Sequence, residues 1–325
     1  MMKKKILITR RWPESVETEL SKHFDVTVNK SDTPLNTMQL QSALKNYDAI
    51  LPTVTDKLDK HVFEGIDSSD VQTRIIGNYG VGFSHIDLDC AKQLGITVTN
   101  TPDVLSECTA DIAIMLMLMT ARRGGEGERE FRSGNWSGWR PTHMIGQKVS
   151  GSTLGIIGFG RIGKETAKRA LGFGMKIKVY NRSKIDDKTL NAFNAAQVST
   201  LKELAVSSDF VSLHCPGGTE NTNLIDQAFL DAMKPSGYLI NTARGEVVDE
   251  EALVFALNNN LIAGAGLDVY CNEPNVNASL LQFDNVVLLP HLGSASQATR
   301  EAMGLRVLEN ITHFFNKEAV PDRVC

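Results

Sequence analysis

An apolar run, Leu154-Gly155-Ile156-Ile157, passes directly into Gly158-Phe159-Gly160-Arg161-Ile162-Gly163, which opens a segment of helical pattern. Few arrangements constrain a fold more. The first glycine permits a tight turn, the second lets the backbone approach a pyrophosphate, and the third allows close packing of helix on strand. The start of the helix then offers free N–H groups to an anion. Strand before and helix after place this segment at the first turn of a dinucleotide-holding parallel sheet. Gly158, Phe159, Gly160, Arg161, Ile162 and Gly163 are therefore expected to bind cofactor.

Short β-rich runs alternate with helical patterns along the whole chain, as βαβ units require. Strands are expected at 5–8, 26–28, 49–52, 74–77 and 97–99, with helices near 13–23, 37–45 and 87–94. An unusually apolar helix over 102–121 is expected to end at Gly124-Gly125, followed by an irregular, Trp-containing stretch over 131–145. From Thr153 a new series begins, with six strands at 153–157, 176–180, 210–214, 238–241, 263–267 and 286–288. That number completes a doubly wound sheet. A last helix at about 295–315 has no strand left to accompany and is expected to return to the first domain.

The fold class is thus α/β with two Rossmann-like domains. A doubly wound dinucleotide-binding domain, 101–291, is inserted in a smaller flavodoxin-like substrate domain, 1–100 and 292–325. An arm is expected at about 122–147.

The 325 residues carry 34 Lys+Arg against 38 Asp+Glu, a net charge of −4, with no block of like charge beyond Lys3-Lys4-Lys5. This balance speaks against nucleic acid or anionic lipid as a partner and for a small molecule. The longest apolar stretch, 112–120, is far short of the ~20 residues that span a bilayer. The first residues lack the ~7–15-residue apolar core of a secretory signal. Five scattered cysteines, at 90, 108, 215, 271 and 325, show neither a C-x-x-C pair nor metal spacing. We expect reduced thiols, no metal site and a cytoplasmic protein.

Cofactor choice is read at the end of the second strand of the series, Val179-Tyr180-Asn181-Arg182-Ser183. An NAD site places Asp or Glu about 20 residues past the fingerprint, on the ribose 2′-hydroxyl. Here the residue is Asn181. Arg182 can pair with a 2′-phosphate, and Asn181 and Ser183 can donate to it, so NADP(H) is expected ahead of NAD(H). The alternative is that Arg182 is a solvated charge and Asp186 or Asp187 serves the ribose.

Three polar residues stand after later strands, where an open α/β sheet presents ligands. Arg244 lies in Asn241-Thr242-Ala243-Arg244-Gly245, Glu273 in Cys271-Asn272-Glu273-Pro274, and His291 in Pro290-His291-Leu292-Gly293-Ser294. With the fingerprint and Gly266-Leu267-Asp268-Val269, these motifs make the whole chain resemble the D-isomer-specific 2-hydroxyacid dehydrogenase family, in its glyoxylate and hydroxypyruvate reductase branch. The resemblance implies that Arg244 binds the substrate carboxylate and polarises its carbonyl, that His291 donates the proton, and that Glu273 orients and charges His291. It further implies that Val81 and Gly82, in Asn78-Tyr79-Gly80-Val81-Gly82, bind substrate through backbone N–H groups. Thr109, Cys215, Pro216, Thr242, Ala243, Asp268 and Gly293 would contact the cofactor, with Asp268 on the nicotinamide amide and Cys215-Pro216 on the adenine side.

The chemistry asks for these residue types on its own terms. Reducing a 2-oxo acid builds negative charge on the carbonyl oxygen, which an imidazolium can meet with a proton. A neighbouring carboxylate keeps that imidazolium populated. An arginine fork matches the substrate carboxylate and stays charged. In the resembled family the apolar helix and the arm carrying Trp136 and Trp139 build a homodimer, which is expected here. The rival readings are another dehydrogenase of the family, acting on 2-ketogluconate or resembling phosphoglycerate dehydrogenase, and a dinucleotide-sensing corepressor-like binding protein. Long phosphoglycerate dehydrogenases carry a C-terminal regulatory domain, and formate dehydrogenases lack the acid at Glu273.

Overall fold

The computed structural model describes residues 3–325. The chain divides into two compact units, one running to Leu105 and resuming at Ala295, the other comprising Ser106–Ser294.

The first unit contains β1 (Lys5–Ile8), α1 (Glu14–His23), β2 (Asp25–Val28), α2 (Thr37–Asn46), β3 (Ala49–Leu51), α3 (Lys60–Phe63), β4 (Ile75–Gly77), α4 (Leu88–Gln93) and β5 (Thr97–Thr99). The strands pair in parallel in the order β2-β1-β3-β4-β5, the flavodoxin-like winding. Three of them, β3, β4 and β5, are buried along their whole length; β3 (Ala-Ile-Leu) and β4 (Ile-Ile-Gly) accordingly read as continuous apolar runs without alternation, while β5 buries Thr97 and Thr99 on either side of Val98. Helix α2 starts with a capping box, Asn36 and Gln39 each bonding the other's backbone N–H, a device typically contributing about 1 kcal/mol.

The second unit begins with α5 (Ser106–Ala121) and α6 (Gly124–Arg132). It continues with β6 (Thr153–Ile157), α7 (Arg161–Gly172), β7 (Lys176–Tyr180), α8 (Asp187–Ala192), β8 (Ala195–Gln197), α9 (Leu201–Ser207) and β9 (Phe210–Leu213). It closes with α10 (Gln227–Ala232), β10 (Tyr238–Asn241), α11 (Glu250–Asn258), β11 (Gly264–Leu267) and β12 (Val286–Leu288). The sheet order is β12-β11-β10-β9-β6-β7-β8, all parallel. Winding reverses between β6 and β9, the place where such sheets bind ligands beyond their carboxyl ends. The last helix, α12 (Gln297–Phe315), belongs to the first unit. There Gly304 lies so close to Val16 of α1 that a Cβ would come within 2.5 Å of its methyl, and Gly77 at the end of β4 is similarly enclosed by Val307 and Ile311.

Four details differ from expectation. The second sheet has seven strands rather than six, because Ala195-Ala196-Gln197 pairs with β7 at the sheet edge; alanine and glutamine carry little β signal. The apolar helix starts at Ser106, not near 102. Gly124-Gly125 begins α6 instead of closing the chain into a loop: Arg123 takes a left-handed turn at φ 53 and pairs with Glu126 in the new first turn. The unit boundaries fall after Leu105 and Ser294, where the sequence reading put them after 100 and 291. Thr101 is still tied to the first unit through Gly80 O, and Leu292 and Gly293 are tied to the second through Asp268.

Candidate active site

Each glycine of the fingerprint meets a different environment. Gly158 has φ +90 and lies where a Cβ would come within 2.6 Å of Cys215 N; at Gly163 a Cβ would strike Gly158 O at 2.3 Å. Around Gly160 a Cβ would meet nothing within 4 Å. That open side coincides with the start of α7, for which Gly160 provides no side-chain cap. By contrast α8, α9, α10 and α11 are capped by Asp186, Thr200, Asp226 and Asp249. The first N–H groups of α7, which lie beyond reach of intrahelical acceptors, therefore stand beside an approach open to a phosphate. Two buried polar atoms at neighbouring strand ends, His214 Nδ1 and Thr242 Oγ1, have no hydrogen-bond partner among the described residues. Burial drives the His214 imidazole down to about 3, so it is neutral. These features fit a bound dinucleotide.

At the end of β7 the Asn181 amide bonds Ser183 through its carbonyl and hydroxyl oxygens, at 3.2 and 3.0 Å, and accepts from Phe159 N at 3.4 Å. Arg182 is exposed and forms an ion pair with Glu220. Asp186 accepts from Thr189 N and Oγ1 at 2.8 and 2.7 Å, which holds its carboxyl below the ordinary range and commits it to capping α8. Burial pushes the Cys215 thiol up to about 11, leaving a protonated group that packs and does not attack.

The three strand-end residues come from β10, β11 and β12. Asn241 shapes the turn after β10, accepting from Ala243 N at 3.0 Å and donating to Arg244 O at 2.9 Å. Arg244 Nη1 donates to Ala243 O at 2.7 Å. Burial pulls its guanidinium below the ordinary value, opposed by the charges of Glu246 and Glu273; arginine nevertheless stays protonated. Glu273 Oε2 faces His291 Nδ1 at 2.8 Å, and its Oε1 accepts from Tyr270 N at 3.0 Å. Burial raises the Glu273 carboxyl, but the hydrogen bond and charge of His291 outweigh it and hold the group below the usual carboxylate range. With Nδ1 engaged, Nε2 is the ring atom left to exchange a proton with a ligand.

The residues after His291 are fixed by Asp268, whose oxygens accept from Leu292 N and Gly293 N. Gly293 also lies against Thr109 of α5, a Cβ there meeting Thr109 Cγ2 at 3.4 Å and Asp268 Oδ2 at 3.3 Å. Thr109, Asp268 and Gly293 thus form one packed cluster. In the first unit, the loop after β4 carries Val81 and Gly82.

A family model described as "D-isomer specific 2-hydroxyacid dehydrogenase, NAD binding domain" matches residues 114–293. The chain belongs to the D-isomer-specific 2-hydroxyacid dehydrogenases. This dehydrogenase is 42% identical to the glyoxylate reductase of Thermococcus onnurineus, an alignment covering 99% of this chain and 96% of the relative. It is 37% identical to the glycerate dehydrogenase of Hyphomicrobium methylovorum, covering 97% of each. Among solved structures it is similar to an NADPH-dependent glyoxylate/hydroxypyruvate reductase from Sinorhizobium meliloti in complex with NADP and malonate. The TM-score is 0.87, with 34% identity over 99% of this chain and 97% of that one.

Sequence reading had not singled out Glu246 or Glu220. Glu246 lies beside Arg244 in the turn and accepts from Gly218 N at 3.3 Å; only its adjacency in sequence hinted at it. Glu220 carried no signal, because its partner Arg182 is 38 residues away.

Proposed function

We propose that this chain reduces a small 2-oxo acid, glyoxylate or hydroxypyruvate, to its 2-hydroxy acid with NADPH, and that His291 donates the proton. The observation that carries this reading is the Glu273–His291 pair at 2.8 Å on neighbouring strand ends, in a unit that also presents desolvated Arg244 and the open glycine turn. The names of the similar glyoxylate reductases support it.

NADPH, when bound, supplies the hydride that reduces the carbonyl carbon. Gly158 to Gly163 and the first N–H groups of α7 would hold its pyrophosphate, and Asn181, Arg182 and Ser183 its adenosine phosphate. Thr109, Cys215, Pro216, Thr242, Ala243, Asp268 and Gly293 would line the remainder. Arg244 binds the substrate carboxylate through its planar fork and stabilises the charge that develops on the carbonyl oxygen. His291 delivers the Nε2 proton to that oxygen as it becomes a hydroxyl, while the Glu273 carboxylate accepts the Nδ1–H, which stays on the ring, and balances the imidazolium charge beforehand. Val81 and Gly82 add backbone N–H donors for the substrate.

The same reading makes the protein a homodimer joined through the arm at about 122–147, and places it in the cytoplasm. None of the five cysteines is joined in a disulfide, as the reducing cytoplasm would keep them; among the described residues no helix is long and apolar enough to cross a membrane.

The test is the initial rate of NADPH and NADH oxidation with glyoxylate, hydroxypyruvate, pyruvate and 2-ketogluconate in turn. Turnover of glyoxylate or hydroxypyruvate, with NADPH ahead of NADH, is expected. Fast turnover of 2-ketogluconate alone would move the chain to another branch. Tight dinucleotide binding without reduction of any 2-oxo acid would make it a binding protein.

A further inference from the structure

The loop after β4 has the composition of an ordinary turn, yet its carbonyls are held from several directions. Asn78 is fully buried, and its Nδ2 donates to both Gly80 O and Gly82 O at 3.0 Å. Thr101 N donates to Gly80 O as well, at 3.0 Å. Asn100 Nδ2 donates to Val81 O at 2.9 Å. Three consecutive carbonyls, of Gly80, Val81 and Gly82, are therefore drawn to one side.

A peptide group is planar and trans, so its C=O and N–H point in opposite directions. Drawing in the carbonyls of Gly80 and Val81 turns the N–H groups of Val81 and Gly82 the other way. Neither N–H has a hydrogen-bond acceptor among the described residues. Two adjacent N–H donors on one side of a glycine-flanked turn make a receptor for a carboxylate oxygen pair.

The orientation of Asn78 is itself determined. An amide facing two carbonyls must present its nitrogen to them, which leaves Oδ1 as an acceptor toward His85 Nε2 at 3.0 Å. His85 must therefore carry its proton on Nε2, fixing the tautomer.

We propose that Asn78, Asn100 and His85 are positioning residues for substrate. Through the loop carbonyls they aim the Val81 and Gly82 N–H groups at the carboxylate of the 2-oxo acid, and none of the three touches it. The inference rests on the proposed reduction of a 2-oxo acid and adds to it a support system built from residues of the first unit, other than Arg244, Glu273 and His291.

The test compares steady-state reduction of glyoxylate by the whole enzyme and by Asn100→Ala, His85→Leu, His85→Gln and Asn78→Ala, with NADPH binding followed separately by fluorescence. Misaimed donors cost ground-state and transition-state binding alike, so KM for glyoxylate rises about ten- to a hundredfold in Asn100→Ala and His85→Leu while kcat stays within about threefold. The NADPH dissociation constant does not move. Glutamine retains an N–H donor for Asn78 Oδ1, so His85→Gln recovers most of the loss. Asn78→Ala shows the largest rise if it folds; the two milder positions carry the test if it does not. Wild-type KM in both Asn100→Ala and His85→Leu, losses confined to kcat or soluble yield, or no recovery in His85→Gln would overturn the inference while leaving the proposed reduction intact. A wild-type enzyme that binds NADPH and reduces none of the four 2-oxo acids would overturn both.

Discussion

Asp268 Oδ1 accepts the backbone N–H of Leu292 at 2.6 Å. Its other oxygen takes the next N–H, of Gly293, at 2.7 Å, and together they secure the turn in which His291 sits at φ 56. A histidine with positive φ persists where its surroundings over-determine it. Asp268 is 1% exposed, and burial pushes its carboxyl upward against the pull of those two N–H groups and of His291. Asp268→Asn keeps one acceptor and sets an NH2 against the other N–H. We expect it to destabilise the fold by about 1–3 kcal/mol, the usual cost of an unsatisfied buried donor, and to lower kcat because the imidazole is no longer held in place. Urea unfolding midpoints together with steady-state rates check this; a midpoint equal to wild type would contradict it.

The proton inventory of the Glu273–His291 pair gives a pH prediction. Glu273 titrates below the ordinary carboxylate range because the hydrogen bond and charge of His291, with the Tyr270 N–H and the Arg244 charge, outweigh the effect of burial. A lowered carboxylate keeps its charge until the pH falls below that range, so activity that needs the Glu273 anion is retained through the ordinary carboxylate range and lost only at still lower pH. Glu273→Gln removes that acid limb and lowers kcat by about ten- to a hundredfold, the usual cost of losing a group that orients a working histidine. His291→Ala lowers kcat by ~10²–10⁴ with little change in NADPH affinity. A wild-type kcat in Glu273→Gln would separate the two residues functionally.

Much of this site was legible because its signals are local. The fingerprint at 158–163 sits between a clear strand and a clear helix, and Arg244, Glu273 and His291 each follow an apolar run that ends in a recognisable turn. What escaped notice has a common physical origin. Strand β8 is Ala-Ala-Gln, an edge strand of three residues held by its pairing with β7 and not by propensity. Helix α6 begins with two glycines, and its first turn is secured by the Arg123–Glu126 pair. The Asn78–His85–Asn100 network depends on side chains brought together by β4 and β5, and the Glu220 partner of Arg182 comes from another loop. Tertiary contacts of this kind leave no period in the sequence.

The proposed role of Arg182 in cofactor preference is open to a direct test. In the structure this guanidinium pairs with Glu220, both side chains mostly exposed at 64% and 76%. A 2′-phosphate is a better partner for a guanidinium than a surface carboxylate, so in the proposed site Glu220 would give way to NADPH. Arg182→Ala should raise KM for NADPH by about tenfold, the loss of one charge-assisted contact, and leave KM for NADH nearly unchanged. Glu220→Gln should lower KM for NADPH slightly, since a competitor for Arg182 is gone. Parallel titrations with both cofactors read each effect; equal changes for NADH and NADPH in Arg182→Ala would detach Arg182 from the 2′-phosphate.

The arm presents a concentration of exposed apolar surface. Phe131, Trp136, Trp139 and Ile145 are 66%, 50%, 82% and 68% exposed, within fifteen residues of chain. Phe131 and Trp136 pack against each other at a tilt, with centroids 5.7 Å apart and ring planes at 41°, yet both remain half or more exposed. Trp and Phe in such density mark a surface meant for a partner, and a second copy of the chain would supply the same surface in a two-fold arrangement. We expect a dimeric mass by light scattering at micromolar protein. Trp139→Asp combined with Ile145→Asp should yield a monomer that still binds NADPH, because the glycine turn and α7 lie elsewhere in the sequence. A monomeric wild-type enzyme would leave those tryptophans without an occupant and remove the dimer from this reading.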